Sequence, residues 1–165
     1  MYQIYPRSFS DSDSDGTGDL GGVFDRLPYL KDLGVDALWF NPWYPSPLAD
    51  GGYDVSDYRD ILPDFGDLAQ AQQLVATAHE LGFRMLIDLV PNHCSVGHPW
   101  FDAALKAGRN SAERDLFIFR DGIGADHDQP PTNWSALFGG STWQRVVTDG
   151  GPAPRRRRST SARRC

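Results

Sequence analysis

Three apolar runs of strand length alternate with two stretches whose apolar residues recur at helical spacing, and this alternation sets the fold class. Gln3–Phe9 reads as a first strand, Val35–Phe40 as a second and Phe83–Val90 as a third. Between the first two, Leu20, Val23, Phe24, Leu27, Leu30 and Leu33 mark one helix face. Pro28 falls inside that helix and is expected to kink or divide it. Asp67–Leu81 reads as the second helix, with Asp67 as N-cap and Gly82 as C-terminal stop. Phe83–Val90 is almost wholly apolar, the pattern of a parallel strand covered on both faces. Strands and helices alternating at this spacing predict βαβ units and a parallel sheet, an α/β fold.

The rhythm then stops. Residues 34–66 carry too many loop signals for one element. After residue 93 come a helix over Pro99–Lys106, a short apolar run at Leu116–Phe119 and a long loop rich in Gly, Asp and Pro. A complete eight-stranded α/β barrel takes about 250 residues. A chain of 165 residues has room for the first three βα units and little more.

Charge narrows the partners. The net charge is −6, but residues 1–149 hold all 22 acids and 10 basic residues, whereas residues 150–165 hold six Arg and no acid. An acidic body repels nucleic-acid phosphates, so no nucleic-acid partner is expected. No stretch approaches the roughly 18 apolar residues of a membrane helix, and the opening Met1–Pro6 lacks the basic and apolar regions of a secretory signal. Cys94 and Cys165 make no disulfide framework, which predicts a reducing, cytoplasmic setting. Residues 147–165, with almost no apolar content, are expected to be a disordered basic tail. The abrupt change of sign and the Arg/Ala/Pro/Gly clusters are what GC-rich coding DNA yields out of frame, so the tail is expected to be a frame-shifted reading.

Three constellations carry chemistry. Asp11, Asp13, Asp15 and Asp19 recur on alternate positions of a Gly-containing loop, Asp11–Asp19. A hard cation such as Ca²⁺ takes six or more oxygens, and such spacing lets one loop wrap it. Position 12 of that loop is Gly22 rather than a bidentate Glu, which argues against an EF-hand. A solvated acidic turn capping the next helix through Asp19 accounts for the spacing equally well. The second constellation is Asp50-Gly-Gly-Tyr53-Asp54-Val-Ser-Asp57-Tyr58. Aromatic faces stack on sugar rings and carboxylates accept from sugar hydroxyls, although a plain turn with packed tyrosines has the same composition. The third is Asp88-Leu-Val-Pro-Asn-His93, at the C-terminal end of the third strand, where α/β barrels place functional groups. His79 and His127 show no metal-ligand spacing, His98-Pro-Trp100-Phe101 reads as a helix start with a packed aromatic pair, and Cys94 reads as a structural thiol.

In this order the constellations resemble the α-amylase superfamily of glycoside hydrolases (glycoside hydrolase family 13), in particular its α-glucosidase and oligo-1,6-glucosidase branch. The likeness runs over residues 2–145: Tyr2–Phe9 is similar to the first barrel strand, Asp11–Asp19 to the branch's metal loop, Gly34–Trp39 to the second strand, Gly52–Val55 to a sugar-stacking loop and Asp88–His93 to the superfamily's first conserved region. The resemblance implies the N-terminal part of a (β/α)₈ barrel over residues 1–93 and the start of an inserted small domain over 94–146. It implies retaining hydrolysis of α-linked gluco-oligosaccharides by a carboxylate pair. It also implies that Asp50 binds hydroxyls of the terminal glucose, Tyr53 stacks on it, His93 hydrogen-bonds it and Asp88 orients the site. One structural Ca²⁺ or Mg²⁺ would be held by Asp11, Asp13, Asp15, the Thr17 carbonyl and Asp19.

The family's nucleophile, acid and third carboxylate fall on later strands, so no catalytic residue is carried onto this chain. Two readings follow. The chain is a piece of an exo-acting α-glucosidase, or of a glucosyl-transferring or isomerising relative of the trehalose synthase or sucrose isomerase kind, inactive by itself. Otherwise it is a short non-catalytic sugar-binding or interaction protein. Three βα units alone leave an open sheet edge and an uncovered apolar face, so the first reading is the expectation. Linkage preference and oligomeric state have no signature here.

Overall fold

The structure, a computed structural model, describes residues 1–136, 139–147 and 159–163, with 147 and 159–163 as backbone. The chain divides into two compact units, Met1–Pro91 and Asn92–Cys165.

The first unit is a parallel sheet in the order β1-β2-β3, built of β1 (Tyr2–Ile4), β2 (Ala37–Phe40) and β3 (Arg84–Ile87). Tyr2 lies beside Leu38 and Ile4 beside Phe40, while Ala37 lies beside Arg84 and Phe40 beside Ile87. Helix α2 (Leu20–Asp32) connects β1 to β2, and α3 (Leu68–Glu80) connects β2 to β3. This is the α/β architecture expected from the alternation.

The first strand is shorter than the apolar run suggests. Pro6 has no N–H to give a ladder and its ring fixes φ near the helical value. The chain therefore turns into a one-turn helix, α1 (Pro6–Phe9), with Pro6 in its first turn. Pro28 neither divides nor ends α2, which runs unbroken from Leu20 to Asp32. Burial of Leu20, Val23, Leu27 and Leu30 along one face holds the helix together across the missing N–H.

Both connecting helices start on an aspartate. Asp67 accepts from the Gln70 N–H while the Gln70 side chain accepts from the Asp67 N–H, a complete capping box. Their apolar faces close over the sheet in one core, in which Ile4, Leu38 and Phe40 meet Leu27, Leu30, Leu74 and Phe83. The face of β3 differs from expectation. It is the edge of the described sheet, and Leu86 (46 % exposed) and Ile87 (38 %) stand open rather than covered.

The loop from Asn41 to Leu62 contains no helix or strand and leads into a 3₁₀ turn, Pro63–Phe65. It is anchored from within, since Leu62 N–H reaches the Trp43 carbonyl at 2.8 Å and Ser56 N–H reaches the Pro45 carbonyl at 2.8 Å.

The second unit holds α4 (Pro99–Lys106), α5 (Ala112–Asp115) and an antiparallel sheet, β4 (Ile118–Asp121), β6 (Ser159–Arg163) and β5 (Trp143–Val147), in the order β4-β6-β5. The α4 boundaries match the expected ones. Its aromatic pair splits. Phe101 packs against Phe117 and Phe119, with ring centroids 5.2 and 6.5 Å away, whereas Trp100 is 54 % exposed. Of the tail expected to lack order, residues 148–158 and 164–165 lie outside the described residues. Residues 159–163 run instead as a strand paired on both sides, a ladder that satisfies their backbone polar groups. Among the described residues no helix is long and apolar enough to cross a membrane.

Urea unfolding separates the cap from the core. Asp67→Ala removes half of the capping box at an exposed position and is expected to cost about 1 kcal/mol. Leu74→Ala empties a fully buried position and is expected to cost about 3 kcal/mol.

Candidate functional site

Parallel pairing brings the C-terminal ends of β1, β2 and β3 to one edge of the sheet. Two backbone hydrogen bonds carry the ladder past the strands, from Asn41 N–H to the Ile4 carbonyl and from Asp88 N–H to the Phe40 carbonyl, each 3.0 Å. Asn41 and Asp88 are therefore fixed side by side where the strands stop.

Side chains then close a network over this edge. The indole Nε1–H of Trp39 donates to Asp88 Oδ1 at 2.6 Å, and the Tyr53 hydroxyl donates to Asp88 Oδ2 at 2.7 Å. Asn41 Nδ2 donates to the Tyr53 hydroxyl at 3.0 Å, and Gln3 Nε2 donates to Asn41 Oδ1 at 3.0 Å. Residues 49 and 35 positions away in sequence thus converge on one half-buried carboxylate. Burial, and then the hydrogen bond to Asp88 with its negative charge, raise the Tyr53 phenol above its ordinary pKa. Tyr53 stays protonated and keeps donating at any physiological pH. Its half-buried ring is held at the hydroxyl end.

Asp54 shapes the loop that carries Asp50 and Tyr53. Its Oδ1 accepts from Ser46 Oγ at 2.7 Å and from the Asp50 N–H at 3.2 Å, and its Oδ2 accepts from the Ala49 N–H at 3.0 Å. Partial burial pushes the Asp54 carboxyl up, but these hydrogen bonds outweigh it and hold the pKa below the usual carboxylate value. The Tyr5 hydroxyl, between β1 and α1, closes the same loop by donating to the Gly51 carbonyl at 3.0 Å. Tyr58, further along, donates to the Val90 carbonyl at 2.8 Å.

The acidic loop is a chain of short turns. Asp11 Oδ1 accepts from the N–H groups of Asp13 and Ser14, and its Oδ2 from Gly16. Asp13 Oδ1 accepts from Asp15 N–H and Asp15 Oδ1 from Thr17 N–H. The Gly16 hydrogen bond is the largest influence holding the Asp11 pKa down. Asp11, Asp13 and Asp15, all exposed, each offer a carboxylate oxygen within 4.8 Å of the others.

Asp19 is separate from that trio and buried at the start of α2. Its Oδ1 accepts from the Gly22 N–H at 2.6 Å, and its Oδ2 accepts from the N–H and Oγ of Ser12, each 2.9 Å. Burial pushes its pKa up, and the hydrogen bonds from Gly22 and Ser12 more than offset this. The residue at position 12 of the loop is glycine for a steric reason. A Cβ on Gly22 would lie 2.0 Å from the Ser10 carbonyl oxygen, and one on Gly18 would lie 2.2 Å from that of Pro6.

The structure thus brings together Tyr53, Asp88 and the loop bearing Asp50 in the first unit, and Asp11, Asp13 and Asp15 in a second cluster of that unit. His93 belongs to the second unit. Trp39, Asn41 and Gln3 carry the network and had no signal as functional residues. The indole and the amides sit on strands or strand ends whose periodicity says only that they are in a sheet.

The profile of the alpha-amylase catalytic domain matches residues 3–148. The chain belongs to the alpha-amylase family. Within the family it is 48 % identical over 146 residues to Maltase 1 of Drosophila virilis and 46 % identical over 144 residues to the oligo-1,6-glucosidase of Parageobacillus thermoglucosidasius, in each case over 87 % of this chain. Those matches cover 23 % and 25 % of the relatives, so the chain spans about a quarter of their length. Among solved family structures, the isomaltulose synthase of Klebsiella sp. LX3 superposes with a TM-score of 0.85 at 42 % identity, over 98 % of this chain and 27 % of the synthase. The trehalose-6-phosphate hydrolase of Bacillus licheniformis superposes at 0.80 and 43 % identity, over 87 % and 25 %. Hydrolases and glucosyl-transferring enzymes thus share the fold of this segment.

The three aspartates whose pKa values are depressed, Asp11, Asp19 and Asp54, set the acid limit of the fold. A depressed carboxylate contributes stability that is present above its unfolded pKa, near 4, and is lost as pH falls through the folded pKa. Urea titrations at pH 7, 5, 4 and 3 are expected to show the loss beginning below about pH 4. Asp54→Asn is expected to be less stable at pH 7 and to lose less than the wild type on acidification.

Proposed function

We propose that this chain supplies the sugar-holding side of an α-glucosidase-type site that takes the terminal glucose of α-linked gluco-oligosaccharides. The observation that carries the reading is the Asp88 carboxylate, fixed by Trp39 and Tyr53 at the C-terminal edge of a parallel sheet. Barrel enzymes place their chemistry at that edge. A tyrosine ring held rigid by its hydroxyl is a stacking surface that loses little freedom when a sugar lands on it. Asp50, on the loop that Asp54 and Tyr5 close, accepts from the sugar hydroxyls. Asp88 acts as the orienting acid.

Retaining glycoside hydrolysis needs a nucleophilic carboxylate and an acid flanking the bond. Neither role is assigned to any of residues 1–165, so the chain by itself binds without cleaving. Whether hydrolysis or glucosyl transfer follows is decided by groups outside it.

Calorimetry with maltose tests the site. Tyr53→Ala is expected to weaken binding about tenfold through loss of the stacking face. Tyr53→Phe, which keeps the ring, is expected to weaken it less. Equal affinities for wild type and Tyr53→Ala would overturn the assignment, and turnover of p-nitrophenyl α-glucoside by the purified chain would overturn its inactivity.

The acidic loop is proposed to hold one structural Ca²⁺ or Mg²⁺. Oxygens bound to one Ca²⁺ at about 2.4 Å lie no more than about 4.8 Å apart, which Asp11, Asp13 and Asp15 satisfy without rearrangement. The backbone N–H groups occupy one oxygen each of Asp13 and Asp15 and leave the other available. The Thr17 carbonyl is proposed as a further donor, with Asp19, which stands outside the trio, joining the set from the start of α2. When bound, the ion would cancel the mutual repulsion of the carboxylates. A calcium titration is expected to give one site per chain, abolished in the Asp13→Ala, Asp15→Ala double variant. Equal heats from both proteins would exclude the site.

A further inference from the structure

We propose that an open cleft in the second unit, lined by Arg109, Arg114 and Arg120, binds a small dianionic oxyanion of the phosphate class. The cleft has a volume of about 380 Å³, in the range of small-molecule sites, and is also lined by Asn110, Asp115 and Asp121. Three guanidinium groups face two carboxylates, so the lining is net positive in a protein whose overall charge is −6.

The charges are unevenly matched. Arg109 Nη2 pairs with Asp121 Oδ1 at 2.6 Å. Among the described residues, Arg120 Nη1 donates only to its own neighbour's carbonyl, Phe119 O, at 2.9 Å. Arg114 makes no ion pair among the described residues. It is 7 % exposed, its guanidinium lies 4.1 Å from the centre of the Phe119 ring, and its Nη1 has no hydrogen-bond acceptor among the described residues. A buried guanidinium without an acceptor or counter-ion is costly, and an aromatic face compensates it only in part. Burial, and then the like charge of Arg109, hold the Arg114 pKa below its usual value, with Asp121 opposing them.

A dianion in the cleft relieves each of these at once. It neutralises the uncompensated Arg114 charge and removes the repulsion between Arg114 and Arg109. It also gives the exposed Arg120 an acceptor of the geometry that guanidinium groups match bidentately. The inference is independent of the sugar site, since every residue in it belongs to the second unit.

The test is calorimetric titration of the 165-residue chain with inorganic phosphate at low ionic strength and mildly alkaline pH, with sodium chloride at matched ionic strength as the screening control. One saturable site is expected for phosphate and none for chloride. Arg120→Gln, at an exposed position that the fold does not need, is expected to weaken binding about tenfold. Asp121→Asn breaks only a surface ion pair and frees Arg109 for the ligand, so it is expected to tighten binding about fivefold. Absence of a saturable heat, identical heats for wild type and Arg120→Gln, or weaker binding by Asp121→Asn would each overturn the proposal.

Discussion

Parallel pairing of β1, β2 and β3 is the constraint on which the first unit rests. A parallel strand cannot be reached by a tight turn, so each connection must travel back across the sheet, here as α2 and α3. The return helices cover the sheet and supply the core, in which Leu27, Leu30 and Leu74 meet Ile4, Leu38 and Phe40. The same requirement puts all three strand ends at one edge. Asn41 and Asp88 become neighbours because β1, β2 and β3 are in register, and the hydrogen bonds to the Ile4 and Phe40 carbonyls extend that register by one residue. Asp88 can gather Trp39 because the sheet has already aligned the two strands, and Tyr53 reaches it from the loop that follows β2.

The loops are held by carboxylates as well as by burial of apolar residues such as Trp43, Val55 and Ile61. Asp54 folds the segment from Ser46 to Asp54, Asp19 joins the acidic loop to α2, and Asp11 collects the N–H groups of Asp13, Ser14 and Gly16. In each case the aspartate accepts several short-range hydrogen bonds that outweigh the cost of its partial burial or its neighbours' charge. A chain with 22 acids uses several of them as internal structure.

The α/β class, both long helices and the α4 boundaries were legible because period and capping residues agree. Asp67 with Gln70 and Asp19 with Gly22 are local signals, readable within four residues. Three features were not legible. Pro6 turned the expected strand into a helical turn, Pro28 was absorbed by tertiary burial, and β3 left Leu86 and Ile87 exposed although its composition matches a strand covered on both faces. Composition reports what a strand tolerates on its faces, not what lies there. At the site, Asp88 and Tyr53 stood out by resemblance. Trp39, Asn41 and Gln3 did not, because their partners lie between 12 and 49 residues away and no spacing rule spans that distance.

The two glycines that clamp the acidic loop have a thermodynamic consequence. Gly18 and Gly22 let the loop lie directly against the Pro6 and Ser10 carbonyls, and the turns at Asp11, Asp13 and Asp15 fix its backbone from within. The conformational entropy of those nine residues is therefore surrendered when the chain folds, not when a ligand arrives. A side chain at either glycine would shift that loss to the binding step. The affinity of the proposed cation site would then fall although every carboxylate remained in place.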